Sequence, residues 1–372
     1  MYGLRYEYFT INPKKEFQVF FAREEEFARF YRDLVGMLDS KRVPRYVVFG
    51  LFGVGKTHFL LHLGHEIADR ADAVYVETPS SHRRTSFVEF YRSIISALGR
   101  NTILSLLEEG MRNPEAAKEF GLSEDLAYVI NNAVKEKKFY ILWKFLSGEK
   151  LKPAEAEALQ AVRPGLSAEE AVTLLNTVAI IHERTKGKPL LLLVDEFENT
   201  MNIGGDARTA FTEAMRSLVD EGSRVGVVFA LTSRALAEMP SAIYDEPVRR
   251  RIGITNYIPF QEYKEDELEK FMHQTISYRR ESEFDIKGAL ANLKTSETIE
   301  FDTYPFSREA LREIVNSVVL FREQGKVEAL RPKEALEMMD KGLRVAIATK
   351  LPFIGRETIL AVREEVVEAL RL

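Results

Sequence analysis

Two short stretches of this chain carry residue types whose spacing implies chemistry. In the first, the apolar run Arg45-Tyr46-Val47-Val48-Phe49 empties into Gly50-Leu51-Phe52-Gly53-Val54-Gly55-Lys56-Thr57. The pattern G-x-x-x-x-G-K-[ST] needs glycines because successive backbone N–H groups must turn inward to meet phosphate oxygens, and a Cβ would block that approach. Gly50, Gly53 and Gly55 fill this role with Val54 between them, Lys56 brings an ammonium to the β- and γ-phosphates, and Thr57 offers a hydroxyl to Mg²⁺. Phe59, Leu60, Leu61 and Leu63 predict a helix that opens there, adding its positive end to the same oxygens. His58, at its start, joins the candidate nucleotide contacts.

In the second stretch, Pro189-Leu190-Leu191-Leu192-Leu193-Val194 leads into Asp195-Glu196. An unbroken apolar run reads as a central parallel strand buried on both faces, and open α/β sheets bind ligands at the carboxyl ends of such strands. A magnesium triphosphate needs an acid to hold the metal, and hydrolysis needs a base to orient water; Asp195 suits the first task and Glu196 the second. The same pair could serve only as a helix cap. Thr232 and Ser233 end another apolar run, where Thr232 could hold a water or the γ-phosphate. Arg250 and Arg251 stand just before a third late strand, and an arginine there could reach a neighbouring subunit's phosphate; otherwise they are surface cations. Arg331 and Lys333 open a late helix, from which a cation could close onto the same nucleotide. His58, His62 and His65 share a helical face at a spacing able to ligate a metal, but no carboxylate is spaced to complete the set unless Glu66 turns round. Trp143 reads as core.

These residues need a sheet to position them. Strands are expected at 45–50, 73–78, 189–195, 224–233 and 254–260. Phe27, Phe30, Tyr31, Leu34 and Leu38 predict an amphipathic helix before the first strand. Residues 100–180 read as helical without a strand, and after Gln261 only helices follow, at about 264–281, 307–323, 333–348 and 356–371. The fold class is therefore α/β, a doubly wound and mainly parallel sheet with a helical insertion and a C-terminal all-α domain. The expected boundaries are 1–44 for an arm and first helix, 45–262 for the α/β domain and 263–372 for the all-α lid.

A chain of 372 residues can bury one large core and a satellite. Hydrophobic residues make up 45% and charged residues 29%, a globular balance, and no apolar stretch reaches the ~20 residues a bilayer requires. The N-terminus lacks a cleavable hydrophobic region, so a cytoplasmic location is expected. No cysteine is present, which excludes disulfides, thiolate zinc sites and cysteine nucleophiles. The net charge of −5 argues against coating nucleic acid through bulk positive charge. The local basic runs His82-Arg83-Arg84 and Arg249-Arg250-Arg251 leave DNA as a candidate partner.

Taken together, Gly50 to Thr57, Leu190 to Glu196, Thr232 and Arg250-Arg251 resemble the Walker A, Walker B, sensor-1 and arginine-finger series of the AAA+ ATPases over about residues 20–350. Within that superfamily the chain resembles the origin-recognition and initiator clade. Phe21-Ala22-Arg23-Glu24-Glu25-Glu26 is similar to its "GRExE" helix, and Ile258-Pro259-Phe260 leading to Asp266-Glu267-Leu268 is similar to its passage from last strand to lid. The resemblance implies adenine as the base, ATP and Mg²⁺ as ligands, and a lid cation near Arg331 or Lys333. A second resemblance, carried by Leu142 to Lys150 and Leu191 to Glu196, is to ATP-binding proteins of BREX-type phage-defence systems. The chain leaves no room for the winged-helix domain that initiators usually append, so sequence-specific origin binding is not expected.

Two functions follow as expectations. One is an ATP-hydrolysing switch or motor that assembles with copies of itself in a DNA transaction such as defence, transposition or replication. The other is an ATP-gated interaction module with incidental turnover, using the helical surface of 100–180 for a protein partner.

Overall fold

In the computed structural model, residues 2–80, 86–111, 121–291 and 293–369 are described. The strands are β1 (Arg45–Gly50), β2 (Asp72–Glu77), β3 (Leu190–Asp195), β4 (Gly226–Thr232) and β5 (Tyr257–Phe260). They form one sheet in the order β2-β3-β4-β1-β5. β3 pairs parallel with both β2 and β4, in a register that sets Glu77 beside Asp195 and Val194 beside Phe229. Every residue of β3 is buried, as its unbroken leucines require of a strand covered on both faces.

The helices are α1 (Glu24–Asp39), α2 (Lys56–Glu66), α3 (Phe87–Leu98), α4 (Arg100–Gly110), α5 (Glu124–Lys135), α6 (Phe139–Leu146), α7 (Pro153–Leu159), α8 (Ala168–Lys186), α9 (Gly205–Leu218), α10 (Ser241–Tyr244) and α11 (Glu246–Ile252). After β5 come α12 (Glu265–Arg279), α13 (Ile286–Ala291), α14 (Arg308–Glu323), α15 (Pro332–Thr349) and α16 (Arg356–Ala369). Between Arg100 and Lys186 the described residues form helices and no strand. α3 and α8 start at Ser86 and Ser167, whose hydroxyls accept the first-turn amides of Glu89 and Glu170 while those glutamates reach back, closing two capping boxes.

The chain packs as two compact units. One gathers Met1–Arg29, Gly50–Phe59 and Phe260–Leu372; the other holds Phe30–Phe49 and Leu60–Pro259. The second unit contains most of the sheet and a core in which Phe90, Phe197, Phe211 and Phe229 meet edge to face or tilted. Trp143 packs against that core. In the first unit the aromatic arm is fixed onto helices. The Phe9 amide and the Thr10 hydroxyl both donate to the buried Asp340 carboxylate on α15. Arg279, wholly buried, pairs with Glu16 and donates to the Thr10 carbonyl at 2.8 Å, with the Tyr6, Tyr8 and Tyr278 rings around it. Burying that cation is tolerable because its carboxylate partner and three ring faces replace water.

Two local expectations are corrected. Residues Ile254–Asn256 form a 3₁₀ turn rather than the beginning of a strand. Gly253, at φ +96°, ends α11, and Asn256 Nδ2 donates to the Ile252 carbonyl at 2.7 Å and the Arg45 carbonyl at 2.9 Å, fixing that turn before the strand begins. Arg250 and Arg251 accordingly lie in the last turn of a helix, where cations complement the helix dipole.

Candidate nucleotide site

The glycine-rich loop leaves the carboxyl end of β1 and closes on α2. Gly53 and Gly55 have φ of +81° and +98°, which L side chains rarely adopt. Gly50 is required for a different reason, since a Cβ there would lie 2.2 Å from the Phe260 carbonyl oxygen. Val54 is fully buried, so its side chain anchors the loop. Lys56 is 8% exposed; its Nζ donates to the Gly50 carbonyl at 2.9 Å and the Leu51 carbonyl at 2.8 Å. Thr57 is half-buried in the first turn of α2. His58 packs its ring edge against Phe20, with Nε2 3.3 Å from the Glu16 carbonyl.

The lid residues differ sharply. Lys333 is exposed, whereas Arg331 lies against the loop: Nη1 donates to the Phe52 carbonyl at 3.2 Å and the guanidinium sits 5.6 Å from the Phe52 ring centroid. Of the two cations read from the sequence, the loop is met by Arg331.

In the other unit, β3 delivers Asp195, 3% exposed, whose Oδ2 accepts the Tyr75 hydroxyl at 2.9 Å and whose Oδ1 accepts the Glu196 amide at 2.9 Å. The Thr78 hydroxyl donates to the Asp195 carbonyl at 2.8 Å. Glu196 adopts the left-handed conformation, φ 54° and ψ 36°, at the turn into the 3₁₀ segment Phe197–Asn202. A non-glycine residue held there at a strand end is the kind of strained position that clusters at functional sites. Asn199 bridges from the Thr78 carbonyl at 3.0 Å to Glu196 Oε2 at 3.4 Å.

Burial, then the charges of Asp195, Glu77 and Glu198, raise the Glu196 pKa above its ordinary 4.5. A base with a raised pKa is fully ionised only at higher pH. Were Glu196 the base that the sequence suggests, kcat would fall as pH drops through that raised value, with the acidic limb above pH 4.5. A pH–rate profile checks this, and an acidic limb at or below the ordinary carboxylate value would contradict it.

Thr232 ends β4, half-buried, and Ser233 turns its hydroxyl to the Ala235 carbonyl at 2.7 Å. Arg251 pairs with Asp220 at 3.2 Å and donates to the Pro247 carbonyl at 2.8 Å. The Arg250 side chain is 76% exposed and, among the described residues, its ion pair runs along its own helix to Glu246. Among the described residues, no group of three or more His, Cys, Asp and Glu side chains could hold a metal ion. The run His82-Arg83-Arg84 lies outside the described residues.

Sequence reasoning missed Tyr75, Thr78, Asn199 and Glu334. Tyr75 alone left a trace, as a polar-tipped residue inside an apolar strand next to the acidic one.

Taken unit by unit, the loop residues fit a nucleotide's phosphates, and the acidic pair has the oxygen-donor chemistry that magnesium takes. Positive-φ glycines turn the loop backbone, an ammonium is buried at its end, a hydroxyl opens α2, and a buried carboxylate with an adjacent second one ends a central strand.

Residues 19–230 match the family described as AAA ATPase domain, and the chain belongs to that family. Among solved structures it is similar to the Aeropyrum pernix ORC2 protein in its ADP form, with TM-score 0.53 and 13% identity over 93% of this chain and 69% of that one. It is similar as well to the Aeropyrum pernix ORC1 protein in complex with DNA, with TM-score 0.50 and 14% identity over 94% of this chain and 66% of that one. A Walker-type ATPase of Pyrococcus abyssi aligns at TM-score 0.49 and 13% identity, covering 98% of this chain and 77% of that one. The chain thus spans about two thirds of the length of both Aeropyrum proteins. No curated protein sequence matches it. No helix among the described residues is long and apolar enough to cross a membrane.

Proposed function

We propose that the chain binds ATP with Mg²⁺ and hydrolyses it, working with copies of itself as a switch or motor in a DNA transaction. The observation that carries the reading is topological: the glycine loop leaves the carboxyl end of β1, the acidic pair leaves that of β3, and β4 with Thr232 lies between them in the sheet. Family membership supports it.

In this reading the loop amides and Lys56 hold the phosphates, Thr57 and Asp195 hold the metal's shell, and Thr232 fixes a water. Bound Mg²⁺ would neutralise charge on the β- and γ-oxygens. Asp195 is oriented by the Tyr75 hydroxyl and the Glu196 amide. Glu196 takes a proton from water, and Asn199 holds its carboxylate in place.

The DNA part is a proposal by analogy of fold alone, resting on an Aeropyrum relative seen with DNA. Measuring particle size and ATPase rate with ATP, alone and with duplex or single-stranded DNA, tests the whole. Absence of turnover under every condition would refute hydrolysis, and turnover indifferent to DNA would favour the second reading, an ATP-gated module recruiting a protein through the helices of 100–180.

Of the two arginines read as finger candidates we propose Arg250, whose side chain is the more exposed, since Arg251 is held by Asp220 and its own helix. We expect mixed Arg250→Ala and Lys56→Ala proteins to regain part of the activity each lacks alone, because each damages a different half of a shared site. Arg251→Ala should instead lower the melting temperature. No regain in an oligomer proven by size would refute Arg250 as the finger.

A further inference from the structure

Glu334 is completely buried, and both of its carboxylate oxygens are taken by one side chain. Arg331 Nε donates to them at 2.8 and 3.0 Å, and its Nη2 lies 2.7 Å from Oε1. This fork leaves Nη1 as the edge turned to the phosphate loop, on the Phe52 carbonyl at 3.2 Å. The stem is held too. A Cβ on Gly53 would lie 2.7 Å from Arg331 Cδ, so the arginine lies across the bare backbone of a loop glycine.

The pair is built into the start of α15. Arg331 is the extended residue before the helix, with φ −147°, Pro332 opens it, and Glu334 follows in its first turn. A carboxylate there meets the positive end of the helix. Leu330 is fixed on both sides, its carbonyl accepting the Tyr263 amide at 2.9 Å and its amide donating to Glu262 at 3.0 Å. Lys333, one residue nearer, is exposed and has no such clamp.

We propose that Glu334 is a positioning residue that makes Arg331 the lid's phosphate-reading cation. By occupying two of the three guanidinium nitrogens and countering its charge, it aims the third, Nη1, at the loop. A flexible arginine would lose much of any phosphate contact to side-chain entropy; a clamped one has already lost that freedom. The buried carboxylate thereby sets how strongly the site prefers a triphosphate to a diphosphate. This inference rests on the nucleotide reading above and adds a specificity determinant to it.

The test is the ratio of affinities for a non-hydrolysable ATP analogue and ADP, measured by displacement of a fluorescent nucleotide from the full chain. We expect Arg331→Ala and Glu334→Gln each to lower that ratio by about tenfold, the scale of one charge-assisted hydrogen bond, with ADP affinity changed by no more than about twofold. The double variant should match Arg331→Ala alone, because Glu334 acts only through Arg331. Glu334→Asp, which keeps the charge but withdraws it by one methylene, should fall between and serves if Glu334→Gln does not fold. An unchanged ratio in Glu334→Gln and Glu334→Asp, or a further loss in the Arg331→Ala background, would overturn the proposal. An unchanged ratio in Arg331→Ala would overturn it as well, while wild-type protein that binds neither nucleotide would refute the underlying nucleotide reading instead.

Discussion

Lys56→Ala is expected to abolish tight ATP binding, weakening it by about a hundredfold or more, the equivalent of losing two charge-assisted hydrogen bonds to phosphate oxygens. The lysine is placed for this: its ammonium is buried at the mouth of α2 and donates to two successive loop carbonyls, Gly50 and Leu51. Those carbonyls hold the side chain back along the loop, so its position is fixed by backbone. Alanine removes the cation and leaves both carbonyls without that donor, so some loss of loop order is expected beside the electrostatic loss. Calorimetric titration with ATP checks it, with a thermal melt to show that the fold persists. Retained micromolar or tighter binding in a folded variant would remove Lys56 from the site.

The loop was legible because the residues it constrains stand together in the chain, although the Phe260 carbonyl that excludes a Cβ at Gly50 is remote. A positive φ at Gly53 and Gly55 and the clash that excludes any Cβ at Gly50 act on residues within one octapeptide, and only glycine meets them. β3 was legible for a comparable reason, as a strand buried on both faces must be apolar throughout. The turn before β5 was not. Ile254 and Ile258 suggest one strand, but whether the chain extends at Ile254 is decided by Gly253 and by Asn256 reaching the distant Arg45 carbonyl.

Tyr75, Thr78 and Asn199 escaped notice because groups they meet are remote in sequence. Tyr75 meets Asp195 across 120 positions, and Asn199 meets the Thr78 carbonyl across 121. Composition and periodicity describe which face a residue occupies, not which side chain lies opposite. The arginines show the same limit: Arg250 and Arg251 are equivalent as letters, and only the ion pair with Asp220 separates a tethered cation from an exposed one.

Glu196→Gln should leave ATP binding intact while lowering the hydrolysis rate by about a hundredfold to ten-thousandfold, the range for loss of a general base. Glutamine keeps the size and the hydrogen-bonding reach of the side chain but cannot accept the proton that leaves water. The electrostatics supply a control on stability. Glu196 is held at a raised pKa by burial and by the negative charges of Asp195, Glu77 and Glu198, so its ionised form is disfavoured in the folded chain. A carboxyl whose folded pKa is raised opposes folding increasingly as pH rises through its ordinary value of 4.5, and that opposition is complete above the raised one. Removing the charge should therefore leave the melting temperature at neutral pH unchanged or higher, and this gain should vanish as pH falls below 4.5. A variant that hydrolyses ATP at the wild-type rate would remove Glu196 from the chemistry. One that loses activity together with a lowered melting temperature would show that the left-handed turn at Glu196, rather than its carboxylate, is what the fold requires.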